Sequence, residues 1–120
     1  MDDALIENVV DPRNFFGELG GLHDALITTL SWDKEDQVLR ISIDDLNSNF
    51  LDMPEYKGRR PVEIVFIDAQ NLDCDLQISS SNFSIYDLAI EEEAGYSINI
   101  KCSPSGYLKC HCKAIELTDI

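Results

Sequence analysis

His23 stands beside Asp24, and a run of oxygen donors, Asp44, Asp45 and Asn47, lies further along the chain. A carboxylate next to an imidazole raises its basicity and fixes its tautomer, as a general base requires. Apolar residues alternate around both segments, with Leu26, Leu30 and Trp32 in the first and Leu39, Ile41 and Ile43 in the second. This spacing predicts two strands joined by a turn at Asp33 to Asp36. Pairing Trp32 with Leu39 sets Leu30 opposite Ile41 and Thr28 opposite Ile43, a register that buries one face. It also brings His23 and Asp24 to the same end of the hairpin as Asp44, Asp45 and Asn47. No serine or cysteine stands in a motif that would activate it as a nucleophile. Two readings follow: a small metal-binding protein or hydrolase using His23, Asp24, Asp44 and Asp45, or polar groups that hydrogen-bond the start of the first strand.

Three other groupings invite a ligand. In Cys110-His111-Cys112 the cysteines share the core face of a predicted strand while His111 points the other way, so no tetrahedral site uses all three. Cys102 lies diagonally from Cys110 on that face with no fourth ligand, and buried, inert thiols are the expectation. Asp45-x-Asn47-x-Asn49 opens like a calcium loop, but Phe50 replaces the turn glycine and Glu55 comes one position early. The His-Asp doublet of metal phosphohydrolases needs further histidines, and only His111 remains. No metal and no cofactor are expected. Arg59-Arg60 ends a polar segment, Asn47 to Arg60, of about 14 residues, long enough to mark a binding loop in a small domain. Asn49, Asp52, Glu55, Tyr56, Arg59 and Arg60 are its candidate partner-binding residues.

The elements that must position these groups are mostly strands. Asp2 and Asp3 cap a predicted short helix whose stripe is Leu5, Ile6, Val9 and Val10, ended by Asp11-Pro12. Val62 to Ile67 is apolar on both faces and reads as a central strand. Leu72, Cys74, Leu76 and Ile78 alternate with polar residues, and Ser79 to Asn82 makes a turn. Glu93-Ala94-Gly95 and Pro104-Ser105-Gly106 fit three-residue hairpin loops. These pair Ile90 with Ile98 and Leu88 with Ile100, then Cys102 with Leu108, Ile100 with Cys110 and Ile98 with Cys112. The outer face carries Asp87, Lys101 and Lys109 in one row and Ala89, Asn99 and His111 in the next. Ile115 and Leu117 fall out of phase with the cysteines, which predicts a bulge near Lys113 or Ala114. The expected fold is mainly β, an antiparallel meander of about seven strands, curved or sandwich-like, with one short N-terminal helix. It forms a single domain, 1–120.

The net charge of −14, from 23 acidic and 9 basic residues, repels phosphate backbones and anionic lipid. Nucleic-acid and membrane partners are therefore not expected, and a basic protein is the natural complement. Hydrophobic residues at 44% argue against disorder. The acidic N-terminus has no basic leader, and no apolar run approaches the length needed to cross a bilayer, so a cytoplasmic protein with free thiols is expected.

The segments Leu22-His23-Asp24-Ala25, Leu30-Ser31-Trp32-Asp33 and Asp44-Asp45-Leu46-Asn47-Ser48-Asn49-Phe50-Leu51, running on to Pro54-Glu55-Tyr56, resemble a group of small uncharacterised bacterial β-rich proteins. That group is similar in pattern to the immunity proteins of bacterial toxin systems. The resemblance implies a small acidic binding protein, more a non-enzyme than an enzyme, that inhibits a basic toxin or enzyme, and it carries no catalytic residues over. A third expectation is a homo-oligomer paired through an edge strand, with Leu108 to Leu117 as the candidate edge.

Overall fold

The computed structural model describes residues 6–76 and 84–120. Among them, nine strands form two antiparallel sheets. In chain order these are β1 (Ile6–Asn8), β2 (Ile27–Asp33), β3 (Val38–Ile43), β4 (Val62–Ile67), β5 (Gln70–Asp75), β6 (Ser84–Glu92), β7 (Tyr96–Ser103), β8 (Tyr107–Cys112) and β9 (Ala114–Asp119). One sheet has the order β1-β9-β4-β3-β2 and the other β5-β8-β7-β6. Their facing sides alternate apolar with polar residues and interdigitate in one core. Leu39, Ile41, Ile64, Phe66, Ile115 and Leu117 of the first sheet, and Ile85, Ile98, Ile100, Leu108 and Cys112 of the second, are each at most 1% exposed. The fold is mainly β and sandwich-like, as the alternation predicts. β4 is the central strand of its sheet, as its two apolar faces imply.

The chain changes sheets twice, and the crossings stand side by side. After β4 it passes through Asp68 and Ala69 into β5; after β8 it passes through Lys113 into β9. The Lys113 N–H donates to the Ile67 carbonyl at 2.9 Å, and its ammonium pairs with Asp68 at 3.1 Å. Thus the phase break that suggested a bulge at Lys113 is a change of sheet. Cys110 and Cys112 face the core from one layer, and Ile115 and Leu117 face it from the other. With β9 counted apart from β8, and β1 added, the expected seven strands become nine.

β1 replaces the predicted N-terminal helix. Residues 6–8 pair with β9, and the Val9 N–H donates to the Ile115 carbonyl. Val9 is 8% exposed while Val10 is 89% exposed, the alternation of a strand and not the stripe of a helix. The Asp2 and Asp3 cap lies outside the described residues, as do Leu5, Ile78 and the Ser79 to Asn82 turn. Asp11-Pro12, read as a helix stop, starts the helix α1 (Pro12–Glu18). The Asp11 carboxylate accepts from the Asn14 N–H and proline sits in the first turn, where its missing N–H costs nothing. Phe16 anchors the helix in the core at 1% exposure.

Two registers also differ. β2 pairs with β3 as expected from Leu30–Ile41 to Asp33–Val38, but a break between Ile27 and Thr29 puts Ile27, not Thr28, opposite Ile43. β6 and β7 pair as the first glycine loop dictates, with Leu88 opposite Ile100 and Ile90 opposite Ile98. β7 and β8 are offset from expectation by two residues: Ile100 faces Leu108 and Ile98 faces Cys110, and the Cys102 N–H closes the loop Ser103-Pro104-Ser105 on the Gly106 carbonyl, one residue earlier in the chain than expected. The outer rows are therefore Asp87–Lys101–Tyr107 and Ala89–Asn99–Lys109. A two-residue slide keeps every side chain on its own face, so the apolar pattern could not distinguish the two pairings.

Candidate functional site

Asp45 is the centre of the polar end of the first hairpin. Its carboxylate is 6% exposed and fully engaged: Oδ1 accepts from the Asn47 N–H at 2.9 Å and the Arg60 N–H at 3.1 Å, and Oδ2 accepts from the Tyr56 hydroxyl at 2.7 Å. A buried carboxylate is tolerable only with such donors. The Leu46 N–H donates to the Arg60 carbonyl, and the Asn47 amide donates to the Gly58 carbonyl at 2.9 Å. Together these bonds fasten both ends of the segment between Asp45 and Arg60 and its middle. The hydrogen bond to Asp45, followed by burial and the charge of Asp45, holds the Tyr56 hydroxyl above its usual pKa.

The other members of the cluster do separate work. Asp44 Oδ1 accepts from the Leu26 N–H at 2.8 Å and fixes the start of β2. The Nδ1 of His23 lies 2.8 Å from the Tyr86 carbonyl, its ring meets the Tyr86 ring edge to face at 5.5 Å, and its Nε2 is 3.5 Å from Asp24 Oδ1. Side chains of this pair are 42% and 72% exposed. No hydrogen bond or ion pair joins His23 or Asp24 to the carboxylates of Asp44 and Asp45 or to Asn47 among the described residues. The five residues share a neighbourhood and do not converge on one point. Asp45 and Asn47 turn their polar atoms onto the loop's own backbone and the Tyr56 hydroxyl, much as strand-ending Asx residues do. Among the described residues no group of three or more His, Cys, Asp or Glu has the geometry to hold a metal ion.

The three cysteines on the core face are buried, and burial pushes the thiols of Cys102 and Cys110 up to about 11 and that of Cys112 up to about 12. Cys74, on the edge strand β5, is exposed. His111 points outward, and its Nε2 lies 3.1 Å from the Glu93 carbonyl.

The segment from Asn47 to Arg60 is the better candidate site. A 3-10 turn, Ser48–Phe50, begins it, and the Ser48 hydroxyl donates to the His23 carbonyl at 2.9 Å. Of the candidate residues, Asn49 packs against Gly20 so closely that any side chain there would collide with it. Gly20 also has φ +70°, a second reason for glycine. Tyr56 is tied to Asp45, and Arg60 pairs with Asp119 at 3.0 Å. Asp52, Glu55 and Arg59 remain exposed. Sequence reasoning missed Leu51 and Met53, which are 58% and 45% exposed at the tip of the loop. Apolar residues inside a polar loop were the available signal. Behind the tip, the loop and α1 enclose a cleft of about 630 Å³. Phe15, Leu19, Leu46 and Phe50 give it apolar walls, and Glu18 and Glu55 stand with Lys57 and Arg59 at its charged rim. Such a cleft takes an apolar or amphipathic side chain and orients its polar end.

No family model matches the sequence, and no curated protein matches it. Among the described residues no helix is long and apolar enough to cross a membrane.

Proposed function

We propose that this chain is a non-enzymatic, cytoplasmic binding protein of the immunity type, which inhibits a basic toxin or enzyme by laying the Asn47 to Arg60 loop over its active site. One observation carries the reading: the loop is fastened through the buried Asp45 carboxylate, yet its tip presents Leu51 and Met53 to solvent beside Asp52 and Glu55. A loop ordered before it binds loses little entropy on association, and exposed apolar groups beside Asp52 and Glu55 suit a partner face of apolar and cationic groups. The net charge of −14 adds long-range attraction and a faster encounter with such a target. The cleft behind the tip accommodates a projecting side chain of the partner.

The test is a panel of cationic nucleases and similar toxins, with affinity by calorimetry and inhibition of turnover measured at rising salt. The expected result is inhibition by at least one member that weakens steeply with salt and is lost in a Leu51→Asp, Met53→Asp double variant. Salt-independent binding, or binding untouched by the double variant, would overturn the assignment of this loop. A panel that returns no inhibition would overturn the function.

A further inference from the structure

Leu108 to Leu117 is not the edge that self-pairing through it needs, because β8 and β9 each have a strand on both sides. The cleft between α1 and the Asn47 to Arg60 loop offers more, since both of its sides are fixed before anything enters it. Phe16 seats α1 in the core, and the helix side gives the cleft Phe15 and Leu19. On the loop side the buried Asp45 carboxylate holds the Asn47 and Arg60 N–H groups, and Leu46 and Phe50 supply the apolar surface. Asn49, pressed against Gly20 just after α1, ties the two sides together. The volume of about 630 Å³ lies within the range of about 300–1,000 Å³ found for small-molecule sites. A ligand therefore meets walls that already stand.

The polar groups around these walls select the ligand. Three of the chain's 9 basic residues, Lys57, Arg59 and Arg60, line this one cleft in a molecule of net charge −14. Arg60 is engaged by Asp119, while Lys57 and Arg59 are exposed. Glu18 and Glu55 stand at the same rim and are exposed as well. Asn47 also lines the cleft and is 9% exposed. Its amide nitrogen donates to the Gly58 carbonyl, which fixes the side chain, and its Oδ1 accepts no hydrogen bond among the described residues. A buried side chain with an unused acceptor suits an N–H donor on a ligand. An occupant of one charge meets repulsion as well as attraction, a bare anion from Glu18 and Glu55 and a bare cation from Lys57 and Arg59. An occupant that carries both charges beside an apolar body answers the whole rim.

We infer that this cleft binds a free α-amino acid with a large apolar side chain. The side chain lies among Phe15, Leu19, Leu46 and Phe50, where its burial supplies the main driving force. The carboxylate takes Lys57 and Arg59, and the ammonium donates to Asn47 Oδ1 and faces Glu18 and Glu55. An apolar carboxylate without the amine would leave the two glutamates and the Asn47 acceptor unmet. The inference goes beyond the partner-binding reading and does not depend on it, because Leu51 and Met53 do not line the cleft.

Calorimetric titration of the intact chain with L-phenylalanine and L-leucine tests it. Three analogues accompany them: N-acetyl-phenylalanine, which lacks the ammonium; phenylalaninamide, which lacks the carboxylate; and glycine, which lacks the apolar body. Saturable binding is expected for phenylalanine or leucine, and each analogue should bind about tenfold more weakly or worse, since a charge-assisted contact or the buried side chain is gone. The Lys57→Glu, Arg59→Glu double variant, changed only at exposed positions, should keep its circular dichroism spectrum and lose affinity to the same degree. Should that variant lose its fold, amide shifts in the NMR spectrum of the intact chain decide: phenylalanine should move residues 15–19 and 46–60. Absence of binding by both amino acids, an analogue that binds as tightly as phenylalanine, affinity untouched in the folded double variant, or shifts confined to other parts of the chain would overturn the inference.

Discussion

Asp45 and the His23-Asp24 doublet lie at the same end of the first hairpin and are built from the same chemical groups, but they hold opposite positions. The carboxylate of Asp45 is inside, with three donors on it. The doublet is outside, with a 3.5 Å contact between two largely solvated side chains. A charge brought inside orders whatever supplies its donors, here the loop from Asn47 to Arg60. A charge left in water orders little. The residue type that looks catalytic is therefore a surface feature, and the aspartate that looks like its accessory holds the candidate binding loop in shape.

That contrast can be broken by mutation. Asp45→Ala removes an acceptor from three donors, each bond being worth about 1.5–3 kcal/mol and not additive, so a loss of about 3–5 kcal/mol is expected in urea unfolding. The same variant should raise amide exchange across residues 46–60 before it does so in β3 or β4. Alkaline titration separates the loop from the core. The thiols of Cys102, Cys110 and Cys112 are raised from 9.0 to about 11, 11 and 12, so the folded state keeps protons that the unfolded chain releases. Their contribution is fully present below pH 9 and is lost as pH climbs through 11 to 12, which denaturation midpoints across that range would show. Tyr56→Phe deletes one donor to Asp45 and should lower the urea midpoint by less than Asp45→Ala does. His23→Ala, which loses the contact to the Tyr86 carbonyl and a ring edge, should cost below about 1 kcal/mol and leave exchange in the loop unchanged. If His23→Ala destabilised the protein as much as Asp45→Ala, the comparison would be reversed. Native thiol labelling should modify Cys74 and spare the three buried cysteines.

Much of the fold can be read without coordinates because alternation of period two is imposed by the backbone itself. The residues of β3, β4, β6, β7 and β8 announce which face they bury, and the Glu93-Ala94-Gly95 loop fixes the β6–β7 register. Legibility ends where two arrangements satisfy the same pattern. The β7–β8 pairing slides by two residues at no cost to burial. Val9 and Val10 fit a short helix stripe or a strand equally well until β9 supplies hydrogen-bonding partners. Asp-Pro can end one helix or begin the next, and the buried Phe16 selects the second.

For the candidate site, the sequence by itself determined the residue types, the acidic balance and the location of the long loop, since these follow from composition and from where apolar periodicity stops. Only the tertiary structure decided which polar groups are used. Asp45 finds its donors in Tyr56 and Arg60, and the loop must close before either stands near it. β2 likewise reads as a buried strand, because alternation reports which way a side chain points. Leu30 and Trp32 are nevertheless 37% and 36% exposed, because cover comes from neighbours that are distant in sequence.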